Sequence, residues 1–116
     1  MESNKVTTVQ NINRRADGPT DLARKYLSII FTLNNIHITK RKLDLLSYMS
    51  IYGINSITSK VNFCKQYKSS QATISNMISE LYEEKILIKE NGKVRITPSL
   101  SLNFNHPLTL KVDISL

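Results

Sequence analysis

The sequence predicts an α+β fold for this chain of 116 residues, and three patterns support that prediction. Apolar residues at the spacing of one helix face run from Ile74 to Leu81, and a similar pattern occupies residues 40–52. Asn91-Gly92 lies between two short stretches of alternating apolar residues, which is typical of a β-hairpin with a type I′ turn. Strict alternation of five apolar residues over residues 108–116 predicts a further strand.

The helix over residues 70–85 carries an apolar face at i, i+3, i+4 and i+7, formed by Ile74, Met77, Ile78 and Leu81. Its other face is polar and carries Gln71, Thr73, Asn76, Ser79 and Glu80. Ser69 or Ser70 is predicted to cap its first turn, since a hydroxyl there accepts a hydrogen bond from a free backbone N–H. The hairpin that follows is predicted over residues 86–97.

Two further helices are predicted upstream. Thr39 caps a helix over residues 40–52, which buries Leu43, Leu46 and Met49 and ends at Gly53. Residues 54–58 are predicted to form a short strand. Ser59 is then expected to cap a helix over residues 60–67, with Val61 and Cys64 facing inward.

This order of helix, short strand, helix, turn, helix and hairpin resembles the winged helix-turn-helix family over roughly residues 39–97. The hairpin and ten residues before it carry the resemblance: Ser70, Ala72, Thr73, Ile74, Ser75, Ile78, Leu81, Ile86, Leu87 and Ile88. The resemblance implies three helices plus a β-hairpin wing, with residues 70–85 as the recognition helix. Many such modules, including repressors of bacteria and phages and replication initiators of plasmids or phages, bind duplex DNA. Other members serve as protein-interaction or structural pieces.

The chain is predicted to have three parts: a basic extended arm at residues 1–20, the winged domain with a preceding strand at residues 21–97, and a C-terminal β extension at residues 98–116. Residues 1–18 are expected to have little regular structure of their own. Residues 25–33 fit both a strand and a helix, and their β-branched and aromatic residues favour a strand. The predicted fold is thus a winged helix-turn-helix with extra N- and C-terminal β-strands. The strand at residues 108–115 is expected to pair with residues 25–33 or with a neighbouring subunit.

Charge points to an anionic partner, with nucleic acid as the leading candidate. The net charge is +7 and the pI is near 9.7. Residues 1–42 carry a net charge of +5, whereas the other 74 residues carry only +2. Much of the positive charge therefore lies outside the helix at residues 70–85.

The predicted DNA contacts lie on the helix, the wing and the arm. Short hydrogen-bonding side chains at the start of the helix are expected to meet base edges or phosphates, and basic side chains on the wing and arm to meet phosphates. The predicted contacts are Lys68, Ser70, Gln71, Thr73, Asn76, Lys89, Lys93, Arg95, Arg14 and Arg15. Two features oppose this prediction: the helix has no Arg, and Glu80, Glu83 and Glu84 would repel DNA if they faced it.

No residue pattern indicates catalysis, a metal or a cofactor. His37 and His106 are isolated, and Gly18, Gly53 and Gly92 form no phosphate-binding loop. A single cysteine excludes an internal disulfide, and the sequence contains no signal peptide and no apolar stretch of 18 residues. We therefore expect a non-enzyme without a cofactor or a membrane partner, located in the cytoplasm or, for a phage structural protein, in the virion.

Two functions remain open from the sequence. The first is duplex DNA binding by a transcription regulator or replication initiator of a phage or mobile element, expected to form a dimer. The alternative is a phage virion structural protein, such as a head–tail connector or ring component, that uses the winged helix as an assembly scaffold. A homo-oligomer is expected in both cases, and its size distinguishes them, since symmetric half-sites on DNA require a two-fold dimer.

Overall fold

The computed structural model describes residues 8–116 and has an α+β fold, as predicted, with four α-helices and a two-stranded antiparallel hairpin. The helices are α1 (Pro19–Leu33), α2 (Lys40–Tyr52), α3 (Ile57–Tyr67) and α4 (Gln71–Glu83). The strands are β1 (Leu87–Glu90) and β2 (Lys93–Ile96), followed by a short 3-10 helix at Pro98–Leu100. This layout of α2, α3, α4 and the hairpin is compatible with a winged helix.

The N-terminal strand predicted at residues 25–33 was wrong, because these residues form the second half of α1. Pro19 occupies the first helical position, where its missing N–H is not needed, and Asp21 lies in the first turn. Asp21 also pairs with Lys25 one turn later, at 2.5 Å. The helix buries one face, formed by Ala23, Tyr26, Leu27 and Phe31. Packing of this face against the core outweighs the β propensity of the individual residues.

Helix α2 contacts α1, α3 and β2 and contributes many residues to the core. Its bounds match the prediction: the Thr39 hydroxyl accepts from the Lys42 N–H at 3.3 Å, and the helix ends at Gly53, whose φ is +71°. Seven consecutive α2 residues are buried, from Leu43 to Met49. On the α1 side, Arg24 Nε donates to Asp44 Oδ1 at 3.0 Å.

The strand predicted at residues 54–58 was also wrong. Residues 54–56 form a bend, and α3 begins at Ile57. The capping residue is Ser56, not Ser59: the Ser56 hydroxyl accepts from the Ser59 N–H at 3.0 Å. A good capping residue three positions upstream therefore lengthens the helix and leaves no residues for the strand.

The core contribution of α3 differs from the predicted one. Phe63 is fully buried, Cys64 is half-buried as it packs against the core, and Val61 lies outside the core. The prediction that Val61 is a core residue was wrong. Phe63 takes this place because its ring packs between Tyr48, at 5.5 Å, and Tyr67, at 4.7 Å between ring centroids.

Helix α4 and the hairpin follow the prediction closely. Ile74, Met77 and Leu81 are buried, and Ile78 is half-buried against the core. In the hairpin turn Asn91 and Gly92 have φ of 52° and 76°, as a type I′ turn requires. The two strands pair from Leu87↔Ile96 to Glu90↔Lys93. This register places Leu87 and Ile96, which are both buried, opposite each other on the core face.

The predicted C-terminal β extension is absent from the described residues. Phe104 packs on Tyr26 with 5.7 Å between ring centroids, and Leu108 is half-buried, but residues 107–116 form neither strand nor helix. The predicted pairing of residues 108–115 with residues 25–33 does not occur, because the intended partner is helical. In the arm, residues 8–16 lack regular structure, as predicted, and residues 1–7 lie outside the described residues.

Candidate nucleic-acid interface

A three-residue turn, residues 68–70, joins α3 to α4. Lys68 adopts the left-handed conformation, with φ 51° and ψ 50°, and its N–H and that of Ser69 both bond the Cys64 carbonyl. The Arg41 guanidinium, from α2, donates to the Tyr67 carbonyl. Because side-chain and backbone bonds both close the end of α3, the direction of α4 relative to α3 is well defined.

The first turn of α4 uses two of the predicted contact residues for its own cap. The Ser70 hydroxyl accepts from the Thr73 N–H at 3.1 Å and lies 2.9 Å from the Thr73 hydroxyl. Gln71 and Asn76 are exposed, and neither side chain forms a hydrogen bond with any residue of the range 8–116. These two amides are therefore available to a ligand.

Two of the three carboxylates that argued against DNA binding are partly neutralised by Lys42 of α2, whereas Glu83 is exposed and pairs with no cation of the described residues. Lys42 Nζ lies 2.7 Å from Glu80 Oε2 and 2.7 Å from Glu84 Oε1. The Lys42 side chain is only 13% exposed. Its hydrogen bond to Glu80, and next that to Glu84, raises the pKa of Lys42 above its ordinary value. Sequence reasoning missed this cluster, although the spacing of four between the two glutamates places them on the same side of the helix.

The three predicted basic residues of the hairpin do not share a face. Lys93 and Arg95 project from the outer face, whereas Lys89 is paired with Val94 and projects from the face that buries Leu87. Lys89 and Lys93 are exposed and pair with no carboxylate of the described residues. Arg95 Nη1 lies 2.9 Å from Glu90 Oε1. Lys93 therefore has the freest cation on the outer face.

Asn55 joins the hairpin to the segment between α2 and α3. Its Nδ2 donates to the Val94 carbonyl at 2.9 Å, and its Oδ1 accepts from the Val94 N–H at 2.8 Å. One side-chain amide thus pairs with both backbone hydrogen-bonding groups of Val94. No signal in the sequence links these two residues, which are 39 positions apart.

Arg14 and Arg15 are exposed on the irregular segment that precedes α1. Arg14 lines a shallow cleft together with Pro19, His106 and Pro107. The structure thus places the arm next to the start of α1 and to the segment around residue 106, where both guanidinium groups face solvent.

Other kinds of site find no support among the described residues. Within residues 8–116 no group of three or more His, Cys, Asp or Glu side chains is arranged to hold a metal ion. No helix in that range is long and apolar enough to cross a membrane. The polar face of α4 and the basic hairpin are the surface with the clearest binding chemistry.

The resemblance to the winged helix-turn-helix family rests on the residues and elements described above. No protein-family model, curated protein or solved structure gives a significant match to the chain.

Proposed function

We propose that the protein binds duplex DNA in the manner of a winged helix-turn-helix protein, with α4 as the recognition helix and the hairpin as the wing. The short turn before α4, the exposed amides at its start and the net charge of +7 support this proposal. It acts as a transcription regulator or a replication initiator of a phage or mobile element, since both use the same mode of binding. It works without a cofactor or catalysis, in the cytoplasm.

The observation that carries the proposal is the pairing of Lys42 with Glu80 and Glu84. Two unpaired carboxylates on α4 would repel the phosphate backbone of DNA, because both groups are negatively charged. The lysine lowers their joint charge from −2 to −1 and ties them to the α2 side of the helix. The exposed amides of Gln71 and Asn76 then form the polar part of α4 that meets DNA.

Each predicted contact has a role in this proposal. The amides of Gln71 and Asn76 read base edges in the major groove, where Asn and Gln pair well with adenine. Phosphates are contacted by the remaining residues: Lys68, Ser70, Thr73, Lys89, Lys93, Arg95, Arg14 and Arg15. Lys93 contributes more than Arg95, because the Arg95 guanidinium is already paired with Glu90.

The test is fluorescence anisotropy with labelled duplexes of random and selected sequence over a range of salt concentrations. Asn76→Ala should relax sequence preference. Lys93→Ala should weaken binding to all duplexes and reduce the salt slope by about 0.9. Lys40→Ala is the matched control, because Lys40 is an exposed lysine at the start of α2 outside the proposed contacts. Absence of duplex binding by the unmodified protein at low salt, or equal effects of Lys93→Ala and Lys40→Ala, contradicts the proposal.

A second candidate is a virion structural protein, with the same domain as an assembly scaffold in a ring or connector. The exposed apolar side chains between Leu110 and Leu116 favour it, because such a surface requires a partner. Sedimentation velocity separates the two candidates: a closed ring or a larger assembly supports the virion component, and a dimer supports the DNA-binding protein.

A further inference from the structure

Residues 108–116 are called the terminal segment below. Leu108 packs partly against the core, but the apolar side chains from Leu110 onward are exposed. Leu110 is 38% exposed, Val112 52% and Ile114 94%. The segment is irregular, and it alternates apolar residues with Thr109, Lys111, Asp113 and Ser115. An extended segment with one apolar face buries that face only by joining another strand or surface.

The pattern of apolar and polar residues in the terminal segment is the same in both directions, while the two charges change places. Read forward it is Leu-Thr-Leu-Lys-Val-Asp-Ile-Ser-Leu, with an aliphatic residue at each end and Val112 in the middle. Reversal exchanges Thr109 with Ser115 and Lys111 with Asp113. Two identical copies that run antiparallel about Val112 therefore place like with like on the apolar face. On the polar face, each lysine lies opposite an aspartate.

The charges select this register among the alternatives. A shift by one residue places apolar side chains opposite polar ones, since successive side chains point to opposite faces. Centring the pair on Lys111 or on Asp113 restores the faces but sets two like charges directly opposite each other. A parallel pair in register has the same defect at both positions. The antiparallel register about Val112 alone gives two complementary charge pairs and uses all nine residues.

We propose that the terminal segments of two copies of this chain pair as antiparallel strands centred on Val112 and form a two-fold dimer interface. The occupant is a second copy, because an identical segment running antiparallel supplies both the matching apolar face and the complementary order of charges. Such an interface is isologous, with Lys111 of each copy beside Asp113 of the other. The proposal stands independently of the proposed function, although a two-fold dimer would suit a palindromic DNA site.

The apolar face of this two-stranded ribbon needs a cover, since an isolated pair of strands is marginal in water. Helix α1 offers one, because its outer side leaves Ile29 and Leu33 exposed, and Ile36 follows them. Pro107 lines the same cleft as Pro19, at the start of α1. Nine extended residues reach about 30 Å, and α1 is about 22 Å long. Each strand therefore reaches the exposed side chains at the far end of the helix.

The first test exchanges the charges. Lys111→Glu alone, or Asp113→Lys alone, sets like charges opposite each other twice per dimer, and each should lower the association constant about tenfold or more. An equimolar mixture of the two single variants should associate as well as the unmodified protein, because every pair across that interface is again complementary. Sedimentation equilibrium of the full chain measures all three samples. Lys60→Glu, on α3, is the control for the loss of net positive charge and should leave association unchanged.

The second test locates the symmetry axis. In a Cys64→Ser background, Val112→Cys places two thiols directly opposite each other, within the distance that a disulfide spans. Dissolved oxygen should then convert the protein to a covalent dimer. Leu110→Cys in the same background is the control, since the register sets that position opposite Ile114 of the second copy, and it should cross-link poorly. Leu110→Cys combined with Ile114→Cys should cross-link well.

Three results would overturn the proposal. One is an unmodified protein that remains monomeric up to millimolar concentration. Another is a dimer whose association constant ignores both charge exchanges. The last is equal cross-linking of the Leu110→Cys and Val112→Cys proteins, each in the Cys64→Ser background, which would show an unordered segment. None of these measurements involves DNA, so failure here and failure of the proposed function are distinguishable.

Discussion

Helices α1 and α4 each bury an apolar face, and both are tied to α2 by ionic side chains, but the two ties differ in burial. The α1 tie pairs Arg24 with Asp44, whose side chain is only 11% exposed. In the α4 tie the buried group is the cation, Lys42, while the Glu80 side chain is 57% exposed.

This difference indicates different roles for the two helices. A largely buried carboxylate contributes more to stability, because water screens its ion pair less than it screens an exposed pair. An exposed carboxylate held by a lysine adds little stability and mainly changes the charge that a ligand meets. The α1 tie is therefore expected to contribute more to stability, and the α4 tie mainly to change the surface charge of the helix.

Truncation of the α4 core should have the largest effect. Leu81 is fully buried, and Leu81→Ala should cost about 2–5 kcal/mol, enough to unfold a domain of this size. Urea denaturation followed by circular dichroism measures the loss. Ser79→Ala, at an exposed position of the same helix, is the control and should change stability little. Equal stability of both variants would contradict the placement of Leu81 in the core.

Breaking the two ionic ties should have the next largest effect on stability, and the α1 tie should matter more than the α4 tie. Asp44→Ala should lower the free energy of unfolding by about 1–2 kcal/mol. This is less than the cost of breaking a fully buried ion pair, because the Arg24 side chain is 37% exposed and water can hydrate it. Glu80→Gln should cost at most about 1 kcal/mol, because that carboxylate is mostly exposed. Urea midpoints of the two variants provide the comparison. A larger loss for Glu80→Gln than for Asp44→Ala would reverse the roles assigned to the two ties.

Removal of the amide that holds the hairpin should have a smaller effect. Asn55→Ala removes two hydrogen bonds to Val94 and should cost about 1 kcal/mol, because both partners lie near solvent. Hydrogen exchange should become faster at the Val94 N–H, while the α1 amides keep their protection. Asn62→Ala, at an exposed amide of α3, is the control. Unchanged exchange at Val94 would show that the amide does not hold the strand.

The smallest expected effect is the contribution of Asp21 to the pH dependence of stability. The hydrogen bond from Lys25, and next that from the Asp17 N–H, lowers the pKa of Asp21 below its ordinary value. A lowered folded-state pKa means that the stabilisation is present above the unfolded pKa, about 3.9, and is lost as pH falls through the folded pKa. Asp21→Asn should therefore be slightly less stable than the unmodified protein at neutral pH and equally stable in strong acid. A difference that persists in strong acid would exclude this origin.

Elements whose signals are local were predictable from the sequence. Thr39 and Gly53 bound α2, Ser70 caps α4, and Asn91-Gly92 forms the hairpin turn, as expected. Each depends on backbone conformation and hydrogen bonds within a few residues, which the side chains at those positions specify directly. The exposed positions of Gln71 and Asn76 follow from the same helical period, while their contact with DNA stays a prediction.

Tertiary structure decided the features that depend on distant partners. Residues 25–33 fit a strand or a helix by local pattern, and packing of Tyr26, Leu27 and Phe31 in the core selects the helix. Asn55 meets Val94 across 39 positions, and Lys42 meets Glu84 across 42. The alternation at residues 108–116 determines which side chains share a face of an extended chain. It does not determine whether a strand forms, because that requires a partner and α1, being helical, offers no strand to pair with.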